Sequence, residues 1–115
     1  MKKRQTGCVK LLPRVYREKT EQIITIVLAE FAFTERQLWR GGRSTLHCWA
    51  RWICWHFMMK AGMSSVMVAK VSGRDHTTVL YGVDMLQQEM KRRADLADMF
   101  HSVKSQLGKS ATVVA

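Results

Sequence analysis

The chain has 115 residues, 47% of them apolar, and a formal net charge of +10. That length suits one compact domain, the apolar content excludes wholesale disorder, and the charge favours a polyanionic partner, nucleic acid ahead of an anionic membrane surface. The excess is uneven: residues 1–20 carry seven Lys/Arg against one Glu, and residues 91–115 carry five against two Asp. No apolar core follows Met1-Lys2-Lys3-Arg4 at signal-peptide distance. The run from Ile23 to Phe33 contains Thr25 and Glu30 and is too short to span a bilayer. Cys8, Cys48 and Cys54 show no disulfide spacing, which fits a reducing compartment. The expectation is a cytoplasmic, nucleoid-associated protein with no membrane partner.

One proline, seven glycines and apolar spacing that is helical almost throughout predict an all-α fold. Residues 1–13 read as a basic N-terminal arm, punctuated by Pro13. Residues 14–108 read as the domain and residues 109–115 as a flexible tail. Helix is open to begin at Arg14, but the first firm helix is expected over Glu21–Ala32, with Thr20 as N-cap. Its stripe is Ile23, Ile26, Val27 and Phe31. Thr34 and Gln37 fit a capping box that opens one short turn ending near Trp39.

Arg40-Gly41-Gly42-Arg43 stops that turn. Ser44 or Thr45 caps a helix over Leu46–Ala61, whose Trp49, Trp52, Ile53 and Phe57 form one apolar face, widened by Trp55 and Met59. Gly62 ends it. Ser64 caps a short helix to Val71, with Met67 and Val71 pointing inward. Ser72-Gly73-Arg74 makes a tight turn, and Asp75 caps a long helix to about Arg93, with Val79, Val83, Leu86 and Met90 buried and Thr77, Tyr81, Asp84 and Gln88 facing the opposite way. A last helix runs from Asp95 to Leu107, and Gly108 onward is expected to be loose.

Two helices joined by a glycine turn, the second with a polar outer face, describe a helix-turn-helix. The first helix braces the second, whose N-terminal residues reach base edges in the major groove. Here that end is Gly73-Arg74-Asp75-His76-Thr77-Thr78. Its side chains are short and hydrogen-bonding, and threonine methyls can touch thymine methyls. Asp75 with Thr77 or Thr78 could equally do no more than cap the helix.

Gly73-Arg74-Asp75-His76-Thr77-Thr78-Val79-Leu80 resembles the signature of the C-terminal DNA-binding domain (domain IV) of the bacterial replication initiator DnaA. The likeness extends from about Thr20 to Leu107 through the apolar spacing of Ile23, Val27, Ala29, Phe31 and Leu38. It implies a helical bundle containing a helix-turn-helix, of the TrpR and DnaA domain IV type. It also implies double-stranded DNA as partner and a role in regulating replication or transcription, including origin binding. Carried over by this resemblance, Asp75, His76, Thr77 and Thr78 are base readers, Arg74 is a phosphate or groove contact, and Tyr81 belongs to the same DNA-facing surface. Arg40 or Arg43 is the arginine that enters the neighbouring minor groove, a task suited to the negative potential of an A·T-rich groove. The sequence departs from the family at Ser65-Val66-Met67-Val68, where a Pro-Glu-Ile-Gly-like stretch is usual, and at Cys48-Trp49-Ala50-Arg51, where an Arg-Pro-Arg-like step is usual. These departures bear on which box is read.

The sequence contains no Gly-x-x-x-x-Gly-Lys-[Ser/Thr] phosphate loop, so ATP hydrolysis is not expected, and no cofactor is called for. The chain is either an excised domain or a short relative such as a phage or mobile element encodes. His47, Cys48, Cys54 and His56 lack zinc-ligand spacing, since Cys48 and Cys54 are six apart on a helix, so no metal site is expected. No catalytic constellation can be assembled, and an enzyme is not expected. The alternatives are an adaptor or homodimer that uses an exposed Trp/Met surface around Trp55 and Met59, and a non-specific nucleic-acid packaging protein.

Overall fold

A computed structural model describes Val9, residues 12–42 and residues 44–114, with side chains described as far as Lys109. Among the described residues there are six helices: α1 (Arg14–Phe31), α2 (Glu35–Arg40), α3 (Thr45–Lys60), α4 (Ser65–Ser72), α5 (His76–Met90) and α6 (Ala94–Val114). The all-α expectation holds, and the helices stack around α3. That helix turns Trp49, Ala50, Ile53, Cys54, Trp55, Phe57 and Met58 inward, so apolar residues circle most of its wheel and it must be surrounded to bury them.

Several helix starts follow from local chemistry. Thr34 accepts from the Gln37 amide at 3.1 Å while Gln37 Oε1 accepts from the Thr34 amide at 2.7 Å, a reciprocal capping box. Ser44 and Ser64 cap α3 and α4 through the amides three residues on. Asp75 caps α5 through the Thr77 amide at 3.1 Å. Gly62 and Gly73 take left-handed φ of 110° and 68°, ending α3 and α4 where a side chain would be strained.

Three expectations need correction. Thr20 is no N-cap: α1 starts six residues earlier, behind Pro13, and Thr20 is buried within it, donating its hydroxyl to Met63 Sδ at 3.3 Å. Pro13 is the N-cap, with an extended ψ of 143°, a place where its missing N–H is not needed. The helix after Asp75 ends at Met90, not near Arg93. The last helix does not stop before Gly108 but continues to Val114. Of the basic arm, Val9 and Leu12 are buried against the core, and residues 1–8, 10 and 11 lie outside the described residues.

The tryptophans are core. Trp39, Trp49 and Trp55 are buried and Trp52 is partly so. Met59 is only partly exposed. The Trp/Met surface required by an adaptor is therefore not found among the described residues. No helix among them is long and apolar enough to cross a membrane.

Candidate nucleic-acid interface

Helices α4 and α5, joined through Gly73, Arg74 and Asp75, form the helix-turn-helix. Val68, Ala69 and Val71 hold α4 to the core, and Val79, Gly82 and Leu86 do so for α5. Burying that stripe leaves His76, Thr77, Thr78, Leu80 and Tyr81 exposed, with Tyr81 62% exposed. Thr77 and Tyr81 lie one turn apart on the same face. Leu80 was not singled out by sequence. It lies beside the buried Val79, and only the direction in which α5 docks shows that it faces outward.

The first turn of α5 is organised by Asp75. Its carboxylate accepts from the Thr77 amide and from the Thr77 hydroxyl. Those bonds, and then the His76 charge, hold the Asp75 carboxyl below its ordinary pKa, so it is ionised at neutral pH. Both readings of this end thus have a structural basis: Asp75 and Thr77 form the cap, while His76 and Thr78 are exposed and their side chains make no hydrogen bond among the described residues. The amides of Thr77, Thr78 and Val79 are taken by the Asp75 carboxylate and carbonyl, so the first turn is closed on itself and it is the exposed side chains that it presents.

Arg74 does not simply point away. Its Nη2 donates to the Trp39 carbonyl at 2.6 Å, which brings the end of α2 beside the turn of the helix-turn-helix. Arg40 is the next residue after Trp39 and is exposed. The bond to the Trp39 carbonyl brings Arg40 into the neighbourhood of Arg74, which leads into Asp75, His76, Thr77 and Thr78, with Tyr81 one turn further along α5. Arg43 lies outside the described residues.

One residue in this neighbourhood has a part that the sequence does not show. Arg51 is 5% exposed. It donates from Nη1 to the Leu38 carbonyl at 2.8 Å and from Nη2 to the Gly42 carbonyl at 3.1 Å. Burial, then the like charge of Arg74, lowers its pKa. Nothing in local sequence reveals a guanidinium partnered with carbonyls nine and thirteen residues away. Beside it, His47 stacks on Phe33 with centroids 4.5 Å apart and shares a 2.6 Å hydrogen bond between Nδ1 and Ser44 Oγ, which braces the loop from its other side.

Among the described residues no three His, Cys, Asp or Glu lie close enough to hold a metal ion. Cys54 is fully buried and its thiol pKa is pushed up by burial, so it is a packing residue with no thiolate to offer.

The sequence profile of the bacterial DnaA protein helix-turn-helix matches residues 20–85, more than half of the chain. Those residues take in α2 to α4, most of α1 and α5, and every described residue of the site. No curated protein matches the chain.

Proposed function

The chain belongs to the bacterial DnaA helix-turn-helix family, a DNA-binding family, and from that premise we propose that it reads a specific double-stranded DNA site. The first turn of α5 enters the major groove, where His76 and Thr78 offer hydrogen bonds and the Thr77 methyl offers apolar contact to base edges. Asp75 keeps that turn rigid. Arg74 and Tyr81 reach the sugar-phosphate backbone, and Arg40 or Arg43 reaches the flanking minor groove. Phosphate contacts supply most of the affinity and the α5 residues supply discrimination. The reading assigns no catalytic step to the chain. It places the protein in the cytoplasm on the nucleoid, regulating replication or transcription by occupying sites of the initiator type.

The observation that carries this reading is the exposure of three consecutive polar residues, His76, Thr77 and Thr78, at a capped helix N-terminus whose next residue, Val79, is wholly buried. A helix so anchored has a fixed face to present. The test is alanine substitution of His76 and of Thr78. Each is expected to cost about 1–3 kcal/mol on the preferred site, with little change on scrambled DNA. Equal losses on both duplexes would remove these residues from base reading.

A further inference from the structure

Helix α2 has six residues, so its terminal carbonyls have no further turn of helix to satisfy them. Two guanidiniums from different elements take carbonyls at its end and in the loop that follows. Arg51, in the second turn of α3, holds the carbonyls of Leu38 and Gly42. Arg74, from the turn before α5, holds that of Trp39. The two cations are close enough for Arg74 to disfavour the charge on Arg51. Among the described residues neither makes an ion pair with a carboxylate.

For stability alone this is a poor arrangement. Burying a charge is costly, and well-packed apolar side chains of similar volume commonly serve as well or better. What two forked guanidiniums add is register. Each fixes carbonyls at defined positions and angles, so the corner between α2 and α3 is pinned to α3 on one side and to the helix-turn-helix on the other. Arg40 leaves from this corner, between the Trp39 and Gly42 carbonyls that the two arginines hold. Arg51 itself is too buried to touch a phosphate.

We propose that Arg51 and Arg74 form a positioning pair that sets the spacing between Arg40 and the base-reading turn of α5, and so tunes selectivity for base pairs flanking the recognised site. The proposal rests on the DNA-reading function put forward above. Arg51 acts here as a positioning residue through Arg40, not as a contact.

The experiment is a double-mutant cycle with Arg51→Lys and Arg40→Ala, read by fluorescence anisotropy on three duplexes: a DnaA-type box with A·T-rich flanks, the same box with G·C-rich flanks, and a scrambled box. Lysine keeps the charge but cannot span both carbonyls. Arg51→Lys is expected to cut the flank preference about threefold to tenfold, as for coupled neighbours. It should leave the preference for box over scramble in place and the salt slope unchanged, because no phosphate contact is lost. In the Arg40→Ala background it should have no further effect on flank preference. A folded Arg51→Lys protein with the wild-type flank preference, or losses that add fully to those of Arg40→Ala, would overturn the proposal. If Arg51→Lys does not fold, as judged by circular dichroism, Arg51→Gln, which can reach one of the two carbonyls at most, carries the same flank prediction and the same refutation. A wild-type protein that does not distinguish box from scramble would overturn the DNA-reading function itself, and this proposal with it. Wild-type discrimination with an unaffected flank preference in the variants would overturn the proposal alone.

Discussion

The indole N–H of Trp55 donates to the Ser72 hydroxyl at 3.2 Å, and that hydroxyl donates in turn to the Val68 carbonyl at 2.9 Å. The bond joins the centre of α3 to the last turn of α4, just before Gly73 turns the chain into α5. Ser72→Ala would leave the buried indole N–H without its acceptor. The expected loss is about 1–3 kcal/mol of unfolding free energy, measured by urea denaturation. Trp55→Phe in the same background should recover part of that loss, because the orphaned donor is then gone. A Ser72→Ala protein as stable as wild type would mean that the indole finds another partner.

Gly82 is where α5 meets α3. A Cβ there would stand 2.6 Å from Trp52 Cδ1 and from Trp55 Cζ3, closer than packed carbons approach. Gly82→Ala should therefore force α5 away from the tryptophans and cost about 1–3 kcal/mol or more. The same displacement should shift tryptophan emission. Unchanged stability with unchanged emission would contradict the close approach.

Ala32 ends α1 with φ of 56°, the left-handed region that side chains disfavour. Its amide still closes the helix on the Ala29 carbonyl at 3.4 Å. Ala32→Gly removes the steric penalty but gives the unfolded chain more freedom. The net expectation is a gain of about 0.5–1 kcal/mol, visible as a raised thermal midpoint. A destabilised variant would show that Ala32 does not adopt this conformation.

These features differ in how visible they are in the sequence. The caps at Thr34, Ser44, Ser64 and Asp75 were legible because each bond spans only two or three residues, and the capping chemistry is written in the same stretch of chain. Thr20 misled for the same reason: threonine suits an N-cap locally, but its burial depends on Met63, forty-three residues on. Gly82 drew no notice, since one glycine within a helical stripe reveals nothing about the indoles that will pack over it. In the site, the run from Arg74 to Thr78 was legible as a motif. The role of Arg51 was not, because its partners are backbone carbonyls, which every residue carries and no sequence pattern marks.

His56 provides the pH test. Burial first, then the charges of Lys60 and Lys104, lowers its pKa from the ordinary value of 6.5. The ring packs edge-on to Phe57 and Phe100 at 4.9 and 5.0 Å. The unfolded chain binds a proton more readily at this residue than the folded chain does. Its contribution is therefore fully present above the unfolded pKa and is lost as pH falls from there through the folded pKa. Urea denaturation should show stability falling as pH drops below about 6.5, and His56→Gln should flatten that part of the profile. An unchanged slope in the variant would assign the acid sensitivity elsewhere.

The most direct test of DNA reading is an anisotropy titration of the wild-type protein at two salt concentrations, comparing a duplex that carries a DnaA-type box with a scrambled duplex of equal length and composition. Both affinities should fall as salt rises, because cations replaced at phosphates contribute to each, but the preference for the box should persist at the higher salt. Equal affinities that vanish together with salt would contradict the account, leaving a cationic surface that binds DNA without reading it.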